Sequence, residues 1–361
     1  MSCPVDLPAL RWKRTEEEQP ALFPDETAVE RHLGTGEYRG MEFLHVNARS
    51  IINSVPSASR MPFRYTINAY RGCSHACVYC FARPTHEYLG MNVGRDFERR
   101  IVVKVNAVER LRAELRAPTW SGDHIAMGTN TDPYQSAEGK YHLTRRIVEE
   151  LGKAGNPFSI LTKSTLVLRD LPILAAAAQR TSVRLDLSIG TLDETVWKLT
   201  EPATPPPLRR VDAVRRLNEA GIPCGVLIAP ILPGLSDRDD QITAVVEACV
   251  EAGAVSVSAV PLHLRPGVRE HYLAWLQEVR PDLSSMYERL FQKGSYQAAT
   301  EQARVSRLVA EAGQRTPASR QDRWLGTELA AAPDPPAART DGWRPSGWRS
   351  TRDPSEQLRL L

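Results

Sequence analysis

The chain has 361 residues, 42% of them hydrophobic, and 46 lysines and arginines against 43 aspartates and glutamates leave a net charge of +3. That length supports one large domain with extensions, while so mild a charge neither requires nor opposes a polyanionic partner. No apolar run approaches the roughly 18 residues of a membrane span, and the opening MSCPVDLPALRWKRTEEEQP has no continuous apolar core, so no membrane partner and a cytoplasmic location are expected.

Residues 1–60 read as an irregular extension, of which VNARSIINSV (46–55) is the part expected to pack against the barrel. From 61 to 265, apolar runs of strand length alternate with segments of helical period, the pattern of βα units on a parallel sheet. Six strands are expected: FRYTINAY (63–70), HIAMGT (124–129), FSILTK (158–163), VRLDLSIG (183–190), CGVLIAPI (224–231) and VSVSAVPL (255–262). Between them Leu143, Ile147 and Leu151, then Leu208, Val211, Val214 and Leu217, then Ile242, Val245 and Cys249 recur at helical steps, with Gly152, Gly221 and Gly253 as the stops. The expected fold class is α/β, a partial (β/α)6 TIM-like barrel with parallel strands, plus C-terminal helices and a disordered tail.

The helices occupy 266–313 and would cap the barrel through a stripe of Tyr272, Trp275, Leu276 and Val279. Arg265, Arg269 and Arg280 beside these aromatics offer an alternative use against a nucleic-acid backbone. Residues 314–361 lack a periodic apolar pattern and are expected to be disordered, with Trp343-Arg344 and Trp348-Arg349 as a candidate recognition element inside them.

Chemistry concentrates in CSHACVYC, where Cys73, Cys77 and Cys80 stand three and two residues apart. Thiolates this close can converge on one soft metal centre, but three of them leave a four-coordinate site one ligand short. A disulfide would strand an odd thiol, and six cysteines in 361 residues do not make a disulfide scaffold. Zinc would need a fourth ligand, and His75 is cramped within the loop. A [4Fe-4S] cluster takes one cysteine per iron and leaves the fourth iron open, which the spacing favours. Cys224 and Cys249 read as packed core thiols and Cys3 as an exposed terminal one.

Tyr79 just before the last cysteine, with YTINAYRGCSHACVYCFARPTHEYL (65–89), GTNTDPYQSAE (128–138), ILTKSTLVLRD (160–170), EPATPPPLRRVDAVRRLNEAGI (201–222) and APILPGLSD (229–237), resembles the radical S-adenosylmethionine (SAM) superfamily. Within it, the likeness is to the spore photoproduct lyase-like, DNA repair photolyase-related branch, from about Phe63 to Leu264. The resemblance implies a [4Fe-4S] cluster on Cys73, Cys77 and Cys80, SAM on the open iron, and an external one-electron reductant that drives cleavage of SAM to a 5′-deoxyadenosyl radical. It also implies Tyr79 against adenine, Thr129, Asn130, Thr131 and Asp132 toward the SAM amino group, Lys163 toward its carboxylate, Ser188 near that carboxylate or the amino group, and Ala229 in the wall facing adenine.

Glu201 and Arg209 bracket a proline-rich turn and read either as an ion pair at the SAM site or as helix punctuation. A nucleic-acid lesion or modified base is the implied substrate, a peptide the alternative, and a non-catalytic iron–sulfur or zinc protein the reading of a different class. Thymine-dimer repair calls for a cysteine near the active site, and HIAMGTNTD (124–132) contains none. This departure argues against carrying over that particular activity, and no residue is assigned a catalytic role.

Overall fold

The computed structural model describes residues 29–56, 59 and 61–315, so Cys3 and the expected disordered tail with its two Trp-Arg pairs lie outside the described residues. The strands are β1 (Glu30–Leu33), β2 (Glu42–Val46), β3 (Ile52–Ser54), β4 (Tyr65–Ile67), β5 (Tyr70–Arg71), β6 (Arg100–Lys104), β7 (Ile125–Met127), β8 (Phe158–Thr162), β9 (Val183–Ser188), β10 (Cys224–Ile231) and β11 (Val257–Pro261). The helices are α1 (Arg95–Arg99), α2 (Ala107–Leu115), α3 (Ser136–Tyr141), α4 (Leu143–Ala154), α5 (Leu171–Ala178), α6 (Glu194–Thr200), α7 (Pro207–Glu219), α8 (Asp239–Glu251), α9 (Val268–Val279), α10 (Ser284–Leu290) and α11 (Ala299–Arg315).

One sheet runs in the order β11-β10-β9-β8-β7-β4-β3. Its six strands from β4 to β11 pair in parallel, and β3 closes the edge antiparallel to β4. These six are the expected partial (β/α)6 barrel. Along β8 and β9 one face is mainly apolar and buried while the other carries Ser159, Arg184 and Asp186, whereas β10 is apolar along its whole length, as a strand covered on both sides requires. Phe158, Ile160, Leu185, Leu187, Val226 and Ile228 are buried in one core with Ile147 and Leu151 of α4 and Val214 and Leu217 of α7. Each such side chain contributes about 1.5–3 kcal/mol of transfer free energy.

The structure departs from the sequence reading in five places. The stretch taken as irregular forms β1, β2 and β3, and the first two belong to a second sheet, β1-β2-β6-β5. Its strands are short and carry charged ends, and β2 finds its parallel partner β6 far along the chain, pairing Phe43 with Ile101 and Leu44 with Val102. No local alternation could announce that pairing. FRYTINAY divides: Tyr65–Ile67 joins the barrel sheet and Tyr70–Arg71 the second one.

Gly152 does not end α4. It is buried inside the helix, where an added Cβ would lie 2.9 Å from that of Ala177, and the stop is Gly155 at φ 64°. Leu208 sits in the first turn of α7 and points outward, while Arg210, Ala213, Val214 and Leu217 take the inward face.

The C-terminal segment splits in function. Val305, Val309 and Ala312 of α11 join the main core. Tyr272 and Leu276 of α9 and Tyr287 of α10 instead bury themselves against Cys77, Val78 and Tyr79. The Tyr272 hydroxyl donates to Tyr287 Oη (3.0 Å), and the Tyr287 hydroxyl donates in turn to the Pro233 carbonyl at 2.9 Å. Among the described residues no helix is long and apolar enough to cross a membrane.

The turn after β7 depends on Gly128, whose φ is +95° and whose Cβ position lies 2.0 Å from the Leu161 carbonyl oxygen. Gly128→Ala is expected to destabilise by at least about 3 kcal/mol. Gly155→Ala, at φ +64° with open space around it, costs about 1 kcal/mol. Denaturant midpoints of the two variants test the contrast.

Candidate active site

The cysteine loop begins at Gly72, which has φ +84° and leaves no room for a side chain between His86 and the Phe97 carbonyl, 2.8 and 2.9 Å from its Cβ position. Cys73 N–H donates to that carbonyl at 2.9 Å, and Ala76, at φ 56°, turns the chain back so that Cys77 and Cys80 follow in tight turns. Arg83 staples the loop from beneath. It is fully buried, and its guanidinium donates to the carbonyls of Cys77 (2.9 Å), Ala76 (3.1 Å) and Val93 (2.9 Å) and pairs with Glu98 at 2.7 Å.

All three cysteines are free thiols, two buried and Cys80 partly so. Burial pushes each thiol up, Cys77 to about 12 with the Glu201 charge adding to the rise. A thiol so placed is deprotonated by a bound cation, and three sulfur donors without oxygen or nitrogen suit a soft, iron–sulfur centre. The donor set therefore fits the cluster expected of it. His75 is turned to Asp132, Nδ1 to Oδ2 at 3.3 Å. Elsewhere among the described residues, Glu30, His32 and His45 gather on the β1–β2 pair, in the second sheet.

The turn after β7 is fastened to this loop. Thr131 Oγ1 and Gln135 Nε2 both donate to the Gly72 carbonyl, at 2.6 and 2.9 Å, and Gln135 Oε1 accepts from Ser74 N–H at 2.9 Å. Asp132 accepts from Tyr134 N–H, Thr162 Oγ1 and Lys163 N–H at 2.9, 2.6 and 2.7 Å. Burial would raise its carboxyl, but His75 and these donors outweigh it and hold the group below its usual range. Thr131 and Asp132 are thus engaged within the protein. Asn68 takes Thr129 and Asn130: its Nδ2 donates to Thr129 Oγ1 at 3.4 Å and its Oδ1 accepts from Asn130 N–H at 3.2 Å. Asn130 Oδ1 is buried with no partner in the protein. It is an acceptor awaiting a donor.

Tyr79, Lys163, Ser188 and Ala229, drawn from four separate segments, meet at one point. Lys163 Nζ, at the end of β8, donates to Ser188 Oγ (2.7 Å), Glu201 Oε1 (2.9 Å) and the Ala229 carbonyl (3.1 Å) and lies 5.5 Å from the centre of the Tyr79 ring. The Tyr79 hydroxyl donates to the same Glu201 oxygen. Arg210 Nη2 holds Glu201 Oε2 at 2.5 Å, and Arg210 Nη1 donates to the Ser188 carbonyl at 2.9 Å. Ala229 contributes its carbonyl here, to Lys163 and to the Ser188 hydroxyl.

Arg209, the residue expected opposite Glu201, is exposed; Arg210 is the partner. The inward face of α7 explains this, because Arg210 is in phase with Ala213, Val214 and Leu217. Burial acts to raise the Glu201 carboxyl, but Arg210 and Lys163 overcome it and hold it well below the usual carboxylate range.

Gln135, Asn68 and Arg83 were not singled out from sequence. All three lie inside the quoted motifs, but they bond main-chain groups that only the fold brings near.

Residues 67–245 match the family model described as the Radical SAM superfamily. The chain belongs to the radical SAM superfamily. This radical SAM enzyme is 44% identical over 266 residues to an uncharacterized protein of Mycobacterium tuberculosis, spanning 74% of this chain and 78% of that one. An uncharacterized protein of Methanocaldococcus jannaschii is 33% identical over 199 residues, 55% of this chain and 70% of the relative. Among solved structures, spore photoproduct lyase complexed with dinucleoside spore photoproduct superposes with a TM-score of 0.57 at 18% identity, covering 76% of this chain and 80% of that one. At that identity the likeness is one of fold.

Two measurements probe the geometry. Arg83→Met leaves the Cys77 and Ala76 carbonyls and Glu98 without their donor, and a loss of about 3–5 kcal/mol is expected in denaturant unfolding. For Glu201 the folded pKa is depressed, so its contribution is fully present above its ordinary value of 4.5 and is lost as the pH falls toward the lower folded value. The stability gap between the wild type and Glu201→Gln is therefore expected to be flat above about pH 5 and to shrink below about pH 4.5. A gap that widens in acid contradicts this.

Proposed function

We propose that Cys73, Cys77 and Cys80 hold a [4Fe-4S] cluster and that the chain uses it to cleave SAM reductively, drawing electrons from an external one-electron donor. What carries this reading is the convergence of Tyr79, Lys163, Ser188 and Ala229 beside the loop of three free thiols. When bound, the cluster supplies one electron to the sulfonium of SAM and thereby a 5′-deoxyadenosyl radical.

The chain's own residues do the holding and shielding. Asn130 Oδ1, buried without a partner, accepts from the SAM ammonium. Lys163 and Ser188 face its carboxylate with a cation and a hydroxyl. Tyr79, buried between Glu201 and Lys163, offers a ring face to the adenine. Helices α9 and α10, packed on Cys77 and Tyr79, keep water from that side.

The substrate is proposed to be nucleic acid carrying a damaged or modified base. The fold likeness supports this, and so does the rim beside Cys80. Phe81 and Tyr296 are exposed, His263 stacks on Tyr296 with ring centres 5.5 Å apart, and Arg265 reaches the Tyr296 hydroxyl at 3.3 Å. Aromatic faces beside an arginine suit unpaired bases. Among the described residues, the remaining cysteines, Cys224 and Cys249, are buried in the main core. The described residues bring neither to the mouth, which favours a substrate other than the thymine dimer.

Anaerobically reconstituted protein is expected to hold roughly four irons per chain and, on reduction with SAM, to release 5′-deoxyadenosine. Cys77→Ala abolishes both. Stoichiometric zinc without SAM cleavage sinks the proposal. Adding irradiated DNA, RNA or peptide pools identifies the substrate as the pool that raises turnover, and stimulation by peptide alone overturns the nucleic-acid reading.

A further inference from the structure

A lysine ammonium has three N–H donors, and Lys163 uses all three inside the protein, on Ser188 Oγ, Glu201 Oε1 and the Ala229 carbonyl at 2.7, 2.9 and 3.1 Å. A ligand carboxylate can gain a donor from Lys163 only if one of these bonds yields. The three acceptors are not equivalent. Ser188 and Ala229 already bond each other, hydroxyl to carbonyl at 3.0 Å, and both are neutral. Glu201 carries a charge and has donors to spare: without Lys163, Oε2 keeps Arg210 at 2.5 Å and Oε1 keeps the Tyr79 hydroxyl. The side chain of Arg210 is 1% exposed and that of Lys163 13%, so Lys163 is the cation with access to a ligand.

We propose that Glu201 is the resident counter-ion of Lys163 and that the carboxylate of SAM takes its place there, with Glu201 staying on Arg210 and Tyr79. The inference rests on the reading of Lys163 as a SAM carboxylate ligand and adds that one ion pair opens as another forms. Glu201 is then a positioning residue. It holds the Lys163 ammonium oriented before SAM arrives, and it sets how tightly the carboxylate is held afterwards, because the two anions compete for the same ammonium. An analogue without the carboxylate does not compete and binds without opening the pair. The exchange also brings two cations that share one carboxylate into one-to-one pairs: Glu201 with Arg210, and the ligand carboxylate with Lys163.

Equilibrium dialysis of SAM and of decarboxylated SAM against the reconstituted full-length chain tests the exchange. Glu201→Gln removes the competing charge, and SAM is expected to bind about tenfold more tightly while decarboxylated SAM gains nothing. The variant's Tm without ligand falls, and SAM raises it by more than in the wild type, because the ligand supplies the missing anion. Glu201→Asp keeps a charge on Arg210 and withdraws it from Lys163 by one methylene. It gives a smaller gain of the same kind and decides the matter where the glutamine variant does not fold. Unchanged or weaker SAM binding, or equal changes for both ligands, overturns the proposal. Lys163→Met separates this failure from that of the underlying reading: a loss for SAM alone upholds Lys163 as the carboxylate ligand, whereas undiminished SAM binding removes that role and the exchange with it.

Discussion

A single buried carboxylate ties the mouth of this barrel together. Taking a charge such as Glu201 out of water costs several kcal/mol, and the cost is met only where opposite charges and further donors surround it. Here Arg210 and Lys163 supply the charge and Tyr79 a third donor. Each arrives from a different part of the chain: Tyr79 from the cysteine loop, Lys163 from the end of β8, Arg210 from the first turns of α7. The carboxylate can be satisfied only when all three segments are in place. Arg210 extends the reach of the same charge, because its other nitrogens hold the Ser188 and Pro205 carbonyls at 2.9 and 2.8 Å. Four segments that the sequence separates are thereby fixed relative to one another by electrostatics that would be weak in water and are strong in a dry site.

The cysteine loop is held by a different means. Loops that carry chemistry are ordinarily the mobile part of a fold, yet this one is bonded mainly through its backbone, to the buried guanidinium of Arg83 below and to Thr131 and Gln135 beside it. Bonds to main-chain carbonyls leave the thiols free. That division suits a metal centre, since the ligands must remain unencumbered while the peptide that presents them stays rigid.

Much of this was legible in the sequence because strand, turn and motif coincide there. The six parallel strands follow from apolar runs, and the cysteine triplet, Lys163 and Ser188 fall at their ends. What escaped did so for identifiable reasons. The second sheet joins β2 to β6 across a long separation, and short strands with charged ends carry no periodic signal strong enough to reveal it. Arg210 rather than Arg209 faces Glu201 because the apolar phase of α7 decides which arginine turns inward. The resemblance points Thr131 and Asp132 toward a ligand, and the fold adds what the sequence does not display, their bonds to Gly72, Tyr134, Thr162 and Lys163. Sequence displays which polar groups exist near a site; only the fold shows which of them are already satisfied.

That distinction bears on where specificity can reside. Of the polar residues clustered at the strand ends, Asn130 Oδ1 has no partner in the protein, and Lys163 can be released only by exchange. Asp132 and Glu201 are committed to protein partners and Gln135 to the cysteine loop. A site whose interior is so fully bonded has little freedom to read a second molecule there. Under the proposed function, recognition of the substrate falls to the rim, where Phe81 and Tyr296 remain exposed and Arg265 lies beside them. Phe81, Tyr296 and Arg265 make none of the bonds to Glu201, so substitutions there leave the charges that hold the centre undisturbed.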